Sequence, residues 1–110
     1  MNYQHRKLAA GAWKKLSFAQ QMANIGSEIE RTIKWKEKGN EDFRRRAFER
    51  ALELLDLSLR DGKNKTRLRE LARLREMLSD QYFFENSYHS SDKDWRKYFY
   101  CFNFAARSKV

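Results

Sequence analysis

No proline interrupts this chain of 110 residues. Proline removes a backbone donor and clashes with the preceding turn, so its absence leaves every stretch free to run as helix. The other breakers, Gly11, Gly26, Gly39 and Gly62, stand far apart. Between them, apolar residues recur at helical intervals. Phe18, Met22, Ile25, Ile29 and Ile33 advance by 4, 3, 4 and 4, which keeps them on one face.

Start and stop signals divide the chain into four helices. Ser17 with Gln20 three residues on is a capping-box start. Lys34, Lys36 and Lys38 suit the end of a helix dipole, and Gly39 stops the helix, which predicts a first helix over 18–38. Asn40 caps a second helix over 41–60, with Glu41 and Asp42 in its first turn. Its apolar residues (Phe43, Ala47, Phe48, Ala51, Leu52, Leu54, Leu55 and Leu59) cover a wide face on which Ser58 is the one polar residue. That width predicts the most buried helix. Asp61 and Gly62 end it. Asn64 or Thr66 can open a third helix over 65–84, with Leu68, Leu71, Leu74, Leu78 and Tyr82 as its stripe. Glu85 to Ser91 has no periodicity and reads as a loop. Ser91 with Asp94 then opens a fourth helix over 92–107, whose inner face takes Trp95, Tyr98, Phe99, Phe102 and Ala106.

The connections, of about two, four and eight residues, suit neighbouring antiparallel helices. The expected fold is therefore all-α, an antiparallel up-down-up-down four-helix bundle. Its length supports a single domain over 17–110. Residues 1–16 form a separate N-terminal segment, in which Tyr3, Leu8, Ala12 and Leu16 could shape a short helix on the outside. The chain is 41% hydrophobic and 35% charged, and no apolar run approaches the ~20 residues needed to cross a bilayer. Lys14 and Lys15 interrupt the apolar stretch after Leu8 too soon for a signal peptide, so the expectation is a cytoplasmic protein without a membrane partner.

Charge carries the main functional hint. Lysine and arginine number 24 against 15 acids, a net +9. Part of this is ordinary helix surface: Glu30 with Lys34, Glu41 with Arg45, Asp42 with Arg46 and Asp92 with Arg96 stand at i, i+4, where pairing gives a few tenths of a kcal/mol. The excess is concentrated elsewhere. From Arg60 to Arg75 there are seven cations (Arg60, Lys63, Lys65, Arg67, Arg69, Arg73 and Arg75) and two acids, Asp61 and Glu70. In an up-down bundle this turn shares an end with the start of the first helix and the end of the fourth. Lys14, Lys15, Arg107 and Lys109 are therefore expected beside it. The other end receives Lys34, Lys36, Lys38, Arg44, Arg45 and Arg46, partly offset by Glu37, Glu41 and Asp42.

A cationic end attracts polyanions by counterion release and steering, and arginine's fork suits phosphate. The expectation is nucleic acid, RNA over DNA, bound through backbone phosphates by Arg60, Lys63, Lys65, Arg67, Arg69, Arg73, Lys14 and Lys15. No zinc-finger, RNA-binding-strand or helix-turn-helix signature accompanies these cations. Tyr100 and Phe104 fall off the inner face of the fourth helix, near Arg96, Lys97 and Arg107. They could pack under the N-terminal segment, form a subunit interface in a homo-oligomer, or stack on bases. We expect the interface. Ala19, Ala23 and Gly26 line a small-residue face of the first helix. It reads as close packing inside the bundle, with an oligomer contact as the alternative.

Catalysis finds little support. His5 and His89 are the only histidines, and no glutamate has a histidine three residues on, as di-metal bundles require. The arginine that precedes histidine on a helix in HEPN nucleases, which this chain resembles in size and bundle character, is missing before His89. The glycines form no phosphate loop. Cys101, the single cysteine, has no histidine near it in sequence and reads as a small buried hydrophobe. Glu49, Glu53 and Asp56 on the second helix read as paired or solvated. No catalytic residue, metal or cofactor is expected.

Two stretches carry a resemblance. Ala23-Asn24-Ile25-Gly26-Ser27-Glu28 and Phe48-Glu49-Arg50-Ala51-Leu52-Glu53-Leu54-Leu55-Asp56-Leu57 resemble a widespread family of small bacterial helical proteins whose activity is uncharacterised. In size, four-helix architecture and basic charge the chain is also similar to the accessory variability determinant of diversity-generating retroelements, although no motif matches residue by residue. That similarity implies an oligomeric bundle that serves a reverse transcriptase and its template RNA. The combined expectation is a non-catalytic accessory protein binding nucleic acid, with a reverse transcriptase or another nucleic-acid enzyme as partner. The alternative is a protein scaffold docking through the aromatic face of the fourth helix.

Overall fold

The computed structural model describes residues 11–83, 86–87 and 89–108. They form four α-helices: α1 (Phe18–Glu37), α2 (Glu41–Arg60), α3 (Leu68–Phe83) and α4 (Asp92–Ser108). Short 3₁₀ segments occupy Trp13–Lys15 and Gly62–Arg67. The caps follow from the sequence. Ser17 accepts from the Gln20 backbone N–H at 3.1 Å while the Gln20 side chain accepts from the Ser17 N–H at 2.9 Å, which completes the capping box. Asn40 accepts from the Phe43 N–H at 3.0 Å. Gly39 ends α1 at φ +76°, a conformation costly for any residue with a Cβ.

The third helix departs from expectation. The chain enters it through the 3₁₀ segment, so the α-helix starts at Leu68 rather than residue 65. Neither of the two residues expected to open it does so: Asn64 and Thr66 both lie within the 3₁₀ segment, and Asn64 is 1% exposed with its amide turned into the bundle. Asp61 caps the turn by accepting from the Lys63 N–H at 3.1 Å. The predicted end at residue 84 lies outside the described residues, as do Tyr3 and Leu8 of the proposed N-terminal helix.

Contacts between elements define an antiparallel cycle. Trp35 meets Phe43 across α1 and α2, while Gln21 near the start of α1 reaches Asp61 just beyond α2. Phe48 packs on Tyr82 and Phe83, and Asp56 pairs with Arg75, so α2 and α3 are antiparallel. Glu70 bonds Tyr98, and Gln81 bonds Trp95. Phe18 touches Phe102, and Lys36 pairs with Asp92, which closes the cycle between α4 and α1. The bundle expected from the apolar periodicity is the fold observed.

Met22, Ile25, Ile29 and Ile33 from α1, Phe48, Ala51, Leu54 and Leu55 from α2, Leu71, Leu74 and Leu78 from α3, and Trp95 and Phe99 from α4 form one core. Two stripe residues turn outward: Phe43 is 41% exposed and Leu68 42%. Each lies at the start of its helix, and Phe43 still packs edge-on against Trp35 of α1. Gly26 lets α4 approach α1 closely, because a Cβ there would stand 2.8 Å from that of Phe99. The small-residue face is thus used at Gly26 for packing inside the bundle. Cys101 is exposed, contrary to expectation, because it falls on the outer side of α4.

The core extends N-terminal of residue 17. Trp13 is 1% exposed and donates from Nε1 to Ser58 Oγ at 3.1 Å. Buried Gln21 donates to the Trp13 carbonyl at 3.0 Å and to Asp61 Oδ2 at 2.8 Å. Asn64 donates to Gln21 Oε1 at 2.8 Å and to the Ser58 carbonyl at 2.9 Å. Sealed from water, where an unmade bond costs about 1–3 kcal/mol, these polar groups bond to one another, and only Asn64 Oδ1 of the cluster has no partner among the described residues. They lock the start of α1 onto the α2–α3 turn.

Candidate functional site

That lock assembles the cationic end. Lys63 donates to the Lys14 carbonyl at 3.0 Å and pairs with Asp61, which brings the segment before α1 against the α2–α3 turn. Arg67 lies over the Phe18 ring, 4.6 Å from its centroid, and pairs with Glu70 at 3.4 Å. Lys14, Lys15, Lys65, Arg69 and Arg107 are exposed at this end and form no ion pair among the described residues. Arg60 is exposed in the last turn of α2, and Arg73 is exposed on α3. Lys63 thus meets the segment of Lys14, with Lys65, Arg67 and Arg69 following in the same turn and the start of α3, whereas Arg73 lies further along α3 beside the α3–α4 groove. The residues also differ in role. Lys63 and Arg67 hold the end in shape, and the exposed cations around them present charge.

Asp61 shows how firmly this is built. Burial pushes its carboxyl up. The bonds from the Lys63 ammonium, the Gln21 amide and the Lys63 backbone N–H outweigh burial and hold it below the ordinary carboxylate value.

At the opposite end most arginines are paired within the fold, while Lys34 and Lys38 are exposed without an ion pair among the described residues, Lys38 lying over the Trp35 ring. Arg45 and Arg46 both reach Asp42 at 3.2 Å, and Arg44 pairs with Glu41. Of the four expected i, i+4 pairs, only Asp42 with Arg46 forms as read. Glu30 is taken by Arg96 across the α1–α4 seam at 2.9 Å, with Glu37 joining at 3.5 Å. Both carboxylates raise the Arg96 pKa, the Glu30 hydrogen bond most of all. Asp92 accepts from Lys36 at 2.9 Å, Gln81 at 2.9 Å and Tyr82 at 2.8 Å. Burial raises its carboxyl, yet these bonds bring it below the ordinary value. Burial and the bond to Asp92 in turn push the Tyr82 hydroxyl up. The acids on α1 and at the start of α4 thus join helices, which intrahelical spacing does not reveal.

Glu28 and Asp56 also join helices through ion pairs. Glu28 of α1, 6% exposed, receives Arg31 at 3.0 Å and Arg50 of α2 at 3.4 Å. Asp56 pairs with Arg75 at 2.9 Å, and Glu53 is buried at 3% exposure.

Tyr100 and Phe104 stand out at 67% and 64% exposed. Tyr100 forms one wall of a groove of about 470 Å³ between α1 and α4, floored by Phe99 and Trp95 and edged by Gly26, Arg96 and Asn103. A smaller, almost wholly apolar groove of about 270 Å³ opens between α3 and α4 over Leu74, Met77 and Trp95. Among the described residues no group of His, Cys, Asp and Glu could hold a metal ion, and no helix is long and apolar enough to cross a membrane.

No family model matches the chain, and neither a curated protein nor a solved structure is significantly similar to it.

Proposed function

We propose that this protein is a non-catalytic helical-bundle accessory protein that binds nucleic acid, RNA in preference to DNA, through the cationic end. The observation that carries the proposal is the convergence of Lys14, Lys15, Lys65, Arg69 and Arg107. They come from three separate parts of the chain and stand exposed without ion pairs among the described residues. A surface of this kind gains affinity by releasing counterions from phosphates. Lysine and arginine side chains already committed to carboxylates gain less. Similarity in size, architecture and charge to the accessory variability determinant makes a reverse transcriptase the concrete form of the enzyme served.

The test is affinity for a labelled RNA measured across a salt series. We expect a steep loss of binding with salt, and loss of binding in the variant carrying Lys14→Glu, Lys15→Glu, Lys65→Glu and Arg69→Glu, with helix content unchanged by circular dichroism. Arg67 is left out because it stacks on Phe18, and its reversal would disturb the end itself. Unchanged affinity in this variant overturns the assignment.

A second reading, a protein scaffold or homo-oligomer docking through α4, is favoured by the exposure of Tyr100 and Phe104. A complex that dissociates in Tyr100→Ser/Phe104→Ser would support it.

A further inference from the structure

The outward side of α4 has a pattern of its own. Lys93, Lys97, Tyr100, Phe104 and Arg107 are all exposed and advance by 4, 3, 4 and 3 residues. At 100° per residue that spacing draws one line along the helix, about 21 Å from end to end. None of its three cations forms an ion pair among the described residues. Arg96, on the side facing α1, is held by Glu30 and Glu37. Asp94, in the first turn, sits roughly 100° around the helix from the line. The helix therefore separates its charges: the arginine on the α1 side is paired with carboxylates, and the outward cations flank two aromatic rings.

We propose that this line is a track for single-stranded nucleic acid, which deepens the reading of the protein as a nucleic-acid binder and rests on it. Unpaired bases stack on exposed aromatic rings, whereas the bases of a duplex are already stacked on each other. Tyr100 and Phe104, one helical turn apart, offer two successive platforms, with Lys93 and Lys97 on one side and Arg107 on the other for the flanking phosphates. Arg107 carries the track onto the end that holds Lys14 and Lys15.

Charge selects this occupant over a second copy of the chain. Two copies meeting through this face in parallel set each cation against its own counterpart. Meeting antiparallel about Tyr100, they set Lys93 against Arg107. Either arrangement opposes like charges. A lipid surface matches the charge, but two rings on a single line are far narrower than the apolar face that seats a helix in a bilayer.

The experiment uses the full chain, a fluorescein-labelled oligo(U) of about 20 nucleotides and an RNA duplex of about 20 base pairs. Tyr100→Ser/Phe104→Ser should weaken oligo(U) binding about ten-fold or more and leave duplex binding within about two-fold. Lys93→Glu/Lys97→Glu should weaken oligo(U) binding and lower its dependence on salt. The variant at the cationic end should lose both probes, so the two readings fail separately. If that variant binds normally while the aromatic variant loses oligo(U), the track stands and the end is wrong. Three outcomes overturn the track: oligo(U) affinity unchanged in the aromatic variant, a dimer in sedimentation that this variant dissociates, or tighter binding to phosphatidylserine vesicles than to oligo(U).

Discussion

Asp61 illustrates how one side chain joins fold and charge. It is buried, it caps the α2–α3 turn, and it accepts from Gln21 and Lys63. Because its pKa in the folded chain lies below the ordinary value near 4, its ionised form stabilises the fold above that pH. The contribution is lost as pH falls through the folded pKa. Urea midpoints should therefore drop steadily below about pH 4. Asp61→Asn should flatten that acid limb and cost about 2 kcal/mol at pH 7, since a hydrogen bond to a charged group is lost. A variant whose acid limb matches the wild type would remove Asp61 from this role. In the sequence, Ser58 signalled this cluster as a lone polar residue on an apolar stripe. Its partner Trp13 was not legible, because the face that Tyr3, Leu8, Ala12 and Leu16 suggest for that segment leaves Trp13 out. Asn64 misled, since asparagine suits both a cap and a buried bridge.

Among the elements, α1 and α4 approach most tellingly at Gly26. Gly26→Ala would gain about 1 kcal/mol of helix propensity in isolation. Here the added Cβ meets Phe99 at 2.8 Å, at its Cβ and not at a flexible tip, so backbone has to shift. Overpacking of this kind costs about 1–3 kcal/mol. We expect Gly26→Ala to lower the melting temperature by several degrees, where an exposed helical glycine would give an increase. The helices themselves were legible because their apolar spacing, caps and the stop at Gly39 all agree. Which carboxylate meets which cation was not. Spacing within one helix cannot reveal that Glu30 reaches Arg96, or that Asp92 reaches Lys36, until the helices are placed side by side.

Taken as a whole, the molecule carries +9, and several of its exposed cations are crowded at one end and along one helix. Such crowding opposes the compact state through self-repulsion. Raising ionic strength from about 0.01 M to 0.15 M shortens the screening length from about 30 Å to about 8 Å. The exposed ion pairs lose little by this, being worth at most about 1 kcal/mol each. Without nucleic acid present, the melting temperature should therefore rise with salt over that range. A fall would mean that the cross-helix pairs outweigh the repulsion. The expected gathering of cations at one end was legible from topology and charge count together. The separation of roles within it was not, since Lys63 and Lys65 look alike in sequence and only Lys63 is drawn onto Asp61.

One carboxylate at the other end bears on how freely this architecture could vary. Asp92, the first residue of α4, is held by Lys36 from α1 and by Gln81 and Tyr82 from α3. The start of α4 is thus located by side chains, and the connection from α3 need only span the gap. Lengthening that connection would cost loop-closure entropy of about 0.6 kcal/mol for each doubling, together with whichever of the bonds between Asn86 and Ser90 the insertion breaks. Insertions between α3 and α4 should accordingly leave the register of the bundle intact, provided the aspartate that anchors the fourth helix stays in place.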